Sequence, residues 1–142
     1  MRLRWIVLGL VIAACGCGGG PRLVPVSGQV KLDGKPLPDA QVTFRPDSKE
    51  VHPGPPSSGM TDAEGRFTLR TADGHDGAVV GPHKVRVSVV VNNPSGDKDA
   101  PPTEKLPARY SGEGSILRFT VPKDGTKDAH IDLRPHARDG SR

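Results

Sequence analysis

From His83 to Val91 the chain reads His-Lys-Val-Arg-Val-Ser-Val-Val-Val, with Val85, Val87, Val89 and Val91 at every second position and Lys84, Arg86 and Ser88 between them. Successive side chains of a strand point to opposite faces, so this spacing predicts a strand with one face on a core and one in solvent. The same period recurs along the chain. Val24, Val26, Val30 and Leu32 share a phase, as do Ala40, Val42 and Phe44, then Phe67 and Leu69. Leu117, Phe119 and Val121 repeat it over 116–121, and Ala129, Ile131 and Leu133 over 129–133. Beyond Leu23, Pro and Gly interrupt every window long enough for a helix. About seven short strands with turn signals between them predict an all-β antiparallel sandwich, one domain over residues 23–134.

The connections carry their own signals. Asp33-Gly34 is a turn, and Pro36-Leu37-Pro38-Asp39 is expected to prevent an immediate regular hairpin. Gly28 interrupts the first run and suggests a bulge or a close backbone approach. Asp62-Ala63-Glu64-Gly65 predicts a compact hairpin turn between 59–61 and 66–71, with Gly65 supplying a positive φ. The stretches 46–58 and 92–107 read as surface loops, Ala108-Arg109-Tyr110 as a short extended piece, and 135–142 as a disordered polar tail.

The N-terminus is of a different kind. Arg2 and Arg4 precede an apolar run from Trp5 to Ala14, which stops at Cys15-Gly16-Cys17. A helix of ten residues reaches about 15 Å against a bilayer core of about 30 Å, so the run is too short for a comfortable span and reads as a signal peptide, 1–14. Val11-Ile12-Ala13-Ala14-Cys15 resembles the lipobox of bacterial lipoproteins. That resemblance implies cleavage between Ala14 and Cys15, a diacylglycerol on the Cys15 thiol, and a flexible tether over 15–22. Gly16 in place of Asp resembles lipoproteins that move on to the outer membrane, which implies a cell-envelope location facing the periplasm. Cys17 lies too close to Cys15 for a comfortable disulfide and reads as a bystander. Loss of Arg2 and Arg4 with the leader takes the formal charge from +4 to +2, too weak to argue for nucleic acid. It also removes Trp5, the only tryptophan.

Three landmarks carry a second resemblance. Val26-Ser27-Gly28-Gln29-Val30 with Leu32-Asp33-Gly34-Lys35-Pro36-Leu37-Pro38-Asp39-Ala40-Gln41-Val42-Thr43-Phe44 is similar to the opening of carboxypeptidase regulatory-like domains, whose fold is a transthyretin-like sandwich. Thr61-Asp62-Ala63-Glu64-Gly65-Arg66-Phe67-Thr68-Leu69 and Gly81-Pro82-His83-Lys84-Val85-Arg86-Val87 resemble the second and third landmarks, in that order, within residues 24–134. With the lipobox and Pro107-Ala108-Arg109-Tyr110, the chain resembles small bacterial lipoproteins built from one such domain. The resemblance implies a noncatalytic interaction or structural module, since fold alone does not assign a chemistry.

Candidate chemistry is sparse. His52, His75, His83, His130 and His136 form no H-x-x-x-H or H-E-x-x-H spacing, and a metal site built from His75, Asp76 and His83 competes with plain solvated loop residues. Asp62-Ala63-Glu64-Gly65 lacks the acidic spacing of an EF-hand loop. The alternative class is a transthyretin-like hydrolase of the 5-hydroxyisourate type, whose terminal Tyr-Arg-Gly-Ser motif the tail Arg138-Asp139-Gly140-Ser141-Arg142 matches only in Gly-Ser. No catalytic residue, metal ligand or cofactor is expected. The candidate interaction surface comprises Arg66, Arg70, Lys84 and Arg86 as a basic strip, weighed against an ordinary solvated face, together with Tyr110 as an aromatic able to stand exposed. The partners expected are a membrane, reached through N-terminal acyl chains, and an envelope protein or polysaccharide.

Overall fold

A computed structural model of the chain describes residues 20–47, 49, 53–92 and 101–134. The segment 1–14 read as a signal peptide, Cys15 and Cys17, His52, His136 and the segment 135–142 read as a polar tail lie outside the described residues. Within them, 52% of the chain is strand and 4% helix. The strands are β1 (Leu23–Val24), β2 (Val26–Leu32), β3 (Lys35–Pro36), β4 (Gln41–Pro46), β5 (Ser57–Met60), β6 (Arg66–Thr68) and β7 (Arg70–Thr71). They continue with β8 (Ala78–Val79), β9 (Gly81–Ser88), β10 (Val90–Val91), β11 (Thr103–Glu104), β12 (Leu117–Val121) and β13 (Thr126–Leu133), with one short helix, α1 (Ala108–Ser111).

Two larger sheets form a sandwich-like pair of layers. One is five-stranded and antiparallel, in the order β12-β9-β4-β5-β7; the other runs β13-β2-β3, with β6 also paired to β2. The inward phases foreseen from the alternation meet between them. Val42, Phe44, Val85, Val87 and Val121 come from the first sheet, and Val26, Val30, Phe67, Ala129, Ile131 and Leu133 from the second, all buried. Phe44 touches Phe67 across the layers at a centroid distance of 6.2 Å, and Phe119 within its own sheet at 5.5 Å. Such tilted pairs put a positive ring edge on a negative face, which adds to the area they bury.

Several local expectations are corrected. β13 pairs with β2 in parallel, Ile131 beside Val30 and Leu133 beside Leu32, so the sheets are not antiparallel throughout. At Gly28 the two strands approach closely: a Cβ there would stand 2.0 Å from the Ala129 carbonyl oxygen, and the ladder shifts register between Thr126 and Ala129. Asp33 and Gly34, at φ 51° and 77°, close a hairpin in which Leu32 faces Lys35, so the prolines do not prevent it. The turn 62–65 does not join two strands of one hairpin. It carries the chain from β5 in the first sheet to β6 in the second, after which β7 returns to pair Thr71 with Ser57. β9 ends at Ser88, where the Val89 amide donates to the Glu104 carboxylate instead of continuing the ladder; Val90–Val91 of the predicted strand form β10, and the stretch 92–107 read as a loop supplies β11, which pairs with it. Residues 108–111 are helical rather than extended; the carbonyl oxygen of Pro107, the residue before the helix, accepts from the Tyr110 and Ser111 amides at 2.9 and 3.2 Å.

Candidate functional site

The outward positions of the five-stranded sheet are a cationic surface. Register sets Arg118 of β12 opposite Lys84 of β9, and Lys84 opposite Arg45 of β4. The next row, two residues along, runs Arg86, Thr43, Ser58 and Arg70 through β9, β4, β5 and β7. Directly opposed side chains in a sheet have their Cβ atoms about 5 Å apart, and like charges so placed destabilise the pairing. Lys84 therefore sits between two guanidinium-bearing neighbours at the least favourable spacing.

Among the described residues, the carboxylates that compensate these cations lie outside the strands. Glu113, in the loop after α1, accepts from Arg45 Nη1 at 2.9 Å through Oε2 and from Arg86 Nη1 at 3.3 Å through Oε1. Asp47 lies 3.5 Å from Arg118 Nε, and Asp76 accepts from Arg70 Nε at 2.7 Å. Lys84 has no carboxylate within ion-pair distance among the described residues. Thr43, Arg45, Lys84, Arg86, Gly112, Glu113 and Ser115 line a small half-enclosed cleft on this face. Ser115 fixes its floor by donating its hydroxyl to the Val85 carbonyl oxygen, and Gly112 closes α1 on the Ala108 carbonyl at 2.7 Å. Every one of these pairs is solvent-exposed, so each contributes little to stability; what the arrangement supplies is a field, positive over two rows of the sheet.

Of the residues predicted to form a basic strip, Lys84, Arg86 and Arg70 do share this face. Arg66 does not, because β6 belongs to the other sheet, beside Gln29. Arg45 and Arg118 join the face unforeseen, although their alternation phase already marked them as outward. Tyr110 is a correction: it is buried, its ring lies under the Arg109 guanidinium at 5.1 Å, and its hydroxyl donates to the Arg134 carbonyl at 2.7 Å while accepting from the Arg134 amide at 3.2 Å. It is a structural pin rather than a contact residue. Ala14 and Cys15, the positions expected for cleavage and lipidation, lie outside the described residues.

The metal candidate does not assemble. His75 is exposed in the turn after β7, beside Asp73 at 3.5 Å, whereas His83 is buried in the core against Phe44. No group of three or more His, Cys, Asp or Glu side chains among the described residues is placed to hold a metal ion. Asp62 spends its carboxylate locally, accepting from the Glu64 and Arg66 amides at 3.0 and 2.9 Å, which fixes the tight turn between the two sheets. No helix among the described residues is long and apolar enough to cross a membrane. Comparison of the chain with family models, with curated proteins and with solved structures finds no significant match.

Proposed function

We propose that this chain is a cell-envelope lipoprotein anchored through Cys15, whose β-sandwich, of the carboxypeptidase regulatory-like, transthyretin-like kind, is a noncatalytic module that contacts an anionic partner. The anchor is supported by the lipobox-like Val11-Ile12-Ala13-Ala14-Cys15 and the short apolar run before it. The family reading is supported by the three landmarks, by β2 and β9 falling on two of them, and by the turn 62–65 on the third. The observation that carries the contact reading is the outward face of the five-stranded sheet, where the strands present five cations and no acidic side chain. A face built only for solubility would interleave both signs.

Two measurements test this. The mass of the mature N-terminus is expected to show a diacylglyceryl group on Cys15; a free thiol behind an intact leader would overturn the anchor. On a phosphocellulose column, replacing Arg45, Lys84 and Arg86 with Gln is expected to advance elution well beyond replacement of Lys31, Lys35 and Lys127, which lowers net charge equally. Equal advances would mean that net charge alone acts, and the contact reading would fall.

A further inference from the structure

The cationic rows lie at the end of the sheet where the chain enters the domain. The Arg22 carbonyl accepts from the Val80 amide at 3.1 Å, and Leu23 and Val24 pair with Val79 and Ala78, immediately before β9 begins at Gly81. Lys84 stands three residues into that strand, roughly 10 Å along it. Register places Arg118 and Arg45 level with Lys84, and Arg86 only one repeat beyond. The strands of the other sheet mix the signs: exposed Asp128 and Asp132 stand on β13 among Lys31, Lys35, Arg66 and Lys127, and Asp132 is opposite Lys31. The two sheets therefore differ in arrangement: the five-stranded sheet presents cations alone on its strands, beginning near the tether, whereas the other carries both signs on its strands.

We propose that the outward face of the five-stranded sheet docks on the anionic phosphate headgroups of the membrane that holds the tether, a step that rests on the lipoprotein reading of Cys15. Gly20 is five residues on from Cys15, and a chain of that length spans at most about 18 Å, so an anchored domain never leaves the neighbourhood of the surface. Docking is then intramolecular, and a modest attraction suffices, because the local concentration of headgroups is set by the tether rather than by diffusion. Five cations against Asp47, Glu113 and Asp76 leave that modest positive excess. Lys84, which has no carboxylate partner among the described residues, is the donor most free to take phosphate oxygens, while Arg118, 3.5 Å from Asp47, also donates its Nη1 to the Ser115 and Leu117 carbonyl oxygens at 2.7 and 3.0 Å and contributes its charge to the face. At Arg45 the incoming phosphate exchanges with the Glu113 carboxylate. Ile116, 61% exposed and on the outward phase just before Arg118, supplies an apolar side chain where headgroups meet acyl chains.

The test uses the full chain incorporated into vesicles of phosphatidylcholine, or of phosphatidylcholine and phosphatidylglycerol in equal parts, with an amine-reactive reagent and mass spectrometry reading each lysine. Lys84 is expected to label several-fold more slowly on the anionic vesicles, with the difference abolished by high salt, while Lys127 on the opposite sheet labels alike on both. Replacing Arg45 and Arg118 with Gln is expected to remove the protection by roughly fivefold per cation. Equal labelling of Lys84 on the two compositions overturns the proposal. Protection of Lys84 by soluble polygalacturonate but not by anionic vesicles also overturns it, in favour of a polysaccharide. A chain that fails to stay with neutral vesicles yet floats with anionic ones in a salt-sensitive manner refutes the anchor and upholds the docking.

Discussion

The imidazole of His83 packs against the phenyl ring of Phe44, with ring centroids 5.7 Å apart, at the heart of an otherwise apolar layer. Its Nδ1 meets the Gly81 carbonyl oxygen at 2.9 Å and therefore carries the proton, which leaves Nε2 a buried acceptor with no partner among the described residues. Protonation would place a charged N–H where nothing accepts it. Burial accordingly holds the His83 pKa below the ordinary value, the Gly81 carbonyl pulling weakly the other way.

Acid lability follows from that depressed value. On acidification the unfolded chain takes up its proton first, near the ordinary histidine value of about 6.5, so stability is full above that pH and is lost as the pH falls toward the folded value. Urea midpoints measured from about pH 8 down to about pH 5 should decline for the native chain and decline less for His83→Phe. Parallel declines would assign the effect elsewhere. Glu104 adds a second loss at lower pH. Burial opposes its ionisation, but the Ser88 hydroxyl and the Leu106, Val89 and Lys105 amides outweigh it and hold the carboxyl below its usual range.

Phe44 is fully buried and touches Phe67, Phe119 and His83, so it joins the two layers where aromatic area is scarcest. Phe44→Ala should cost about 3–5 kcal/mol. Against a total of about 5–15 kcal/mol for a domain, calorimetry should show a transition lowered by tens of degrees or lost.

Tyr110→Phe deletes a hydroxyl that both donates to and accepts from the Arg134 backbone. The expected cost is about 1–3 kcal/mol, because the Arg134 groups lose their partner while the ring stays packed. Chemical denaturation would detect it; a change below about 0.5 kcal/mol would mean that water replaces the hydroxyl without loss.

Gly28→Ala forces a Cβ into the Ala129 carbonyl, where only 2.0 Å is available. Backbone cannot yield as a side-chain tip can, so the β2–β13 ladder has to part. The destabilisation should exceed the 1–3 kcal/mol or so of ordinary overpacking, and faster amide exchange at Gln29 and Val30 would localise it.

Glu113→Gln releases Arg45 and Arg86 from their shared counter-charge. Stability should change little, since both pairs are exposed, while retention on phosphocellulose should rise. Unchanged retention would show that the cleft takes no part in anion contact.

The strands were legible where the alternation was long. Val85, Val87 and Val89 are buried as their phase requires, and so are Ala129, Ile131 and Leu133. What escaped was whatever depends on distant partners. The four-residue helix at 108–111 is too short to show a period, and Tyr110 turns inward for a carbonyl 24 residues away. His83 shares the inward phase of Val85, yet its polarity argued for solvent. Arg66 and Arg70 looked like one strip because they are near in sequence, whereas the crossing from β6 to β7 puts them in different sheets. Arg45 and Arg118 were outward by phase, but their alignment on either side of Lys84 depends on strand order, which no local pattern encodes.

The parallel union of β2 and β13 sets Val26 beside Thr126, a hundred residues later in the chain. Contacts of such long sequence separation are slow to form, since the entropy of closing the intervening loop must be spent before any pairing is gained. A chain emerging from its N-terminus thus leaves the flank of β2 uncovered until the final strand arrives, and that last arrival acts as a clasp.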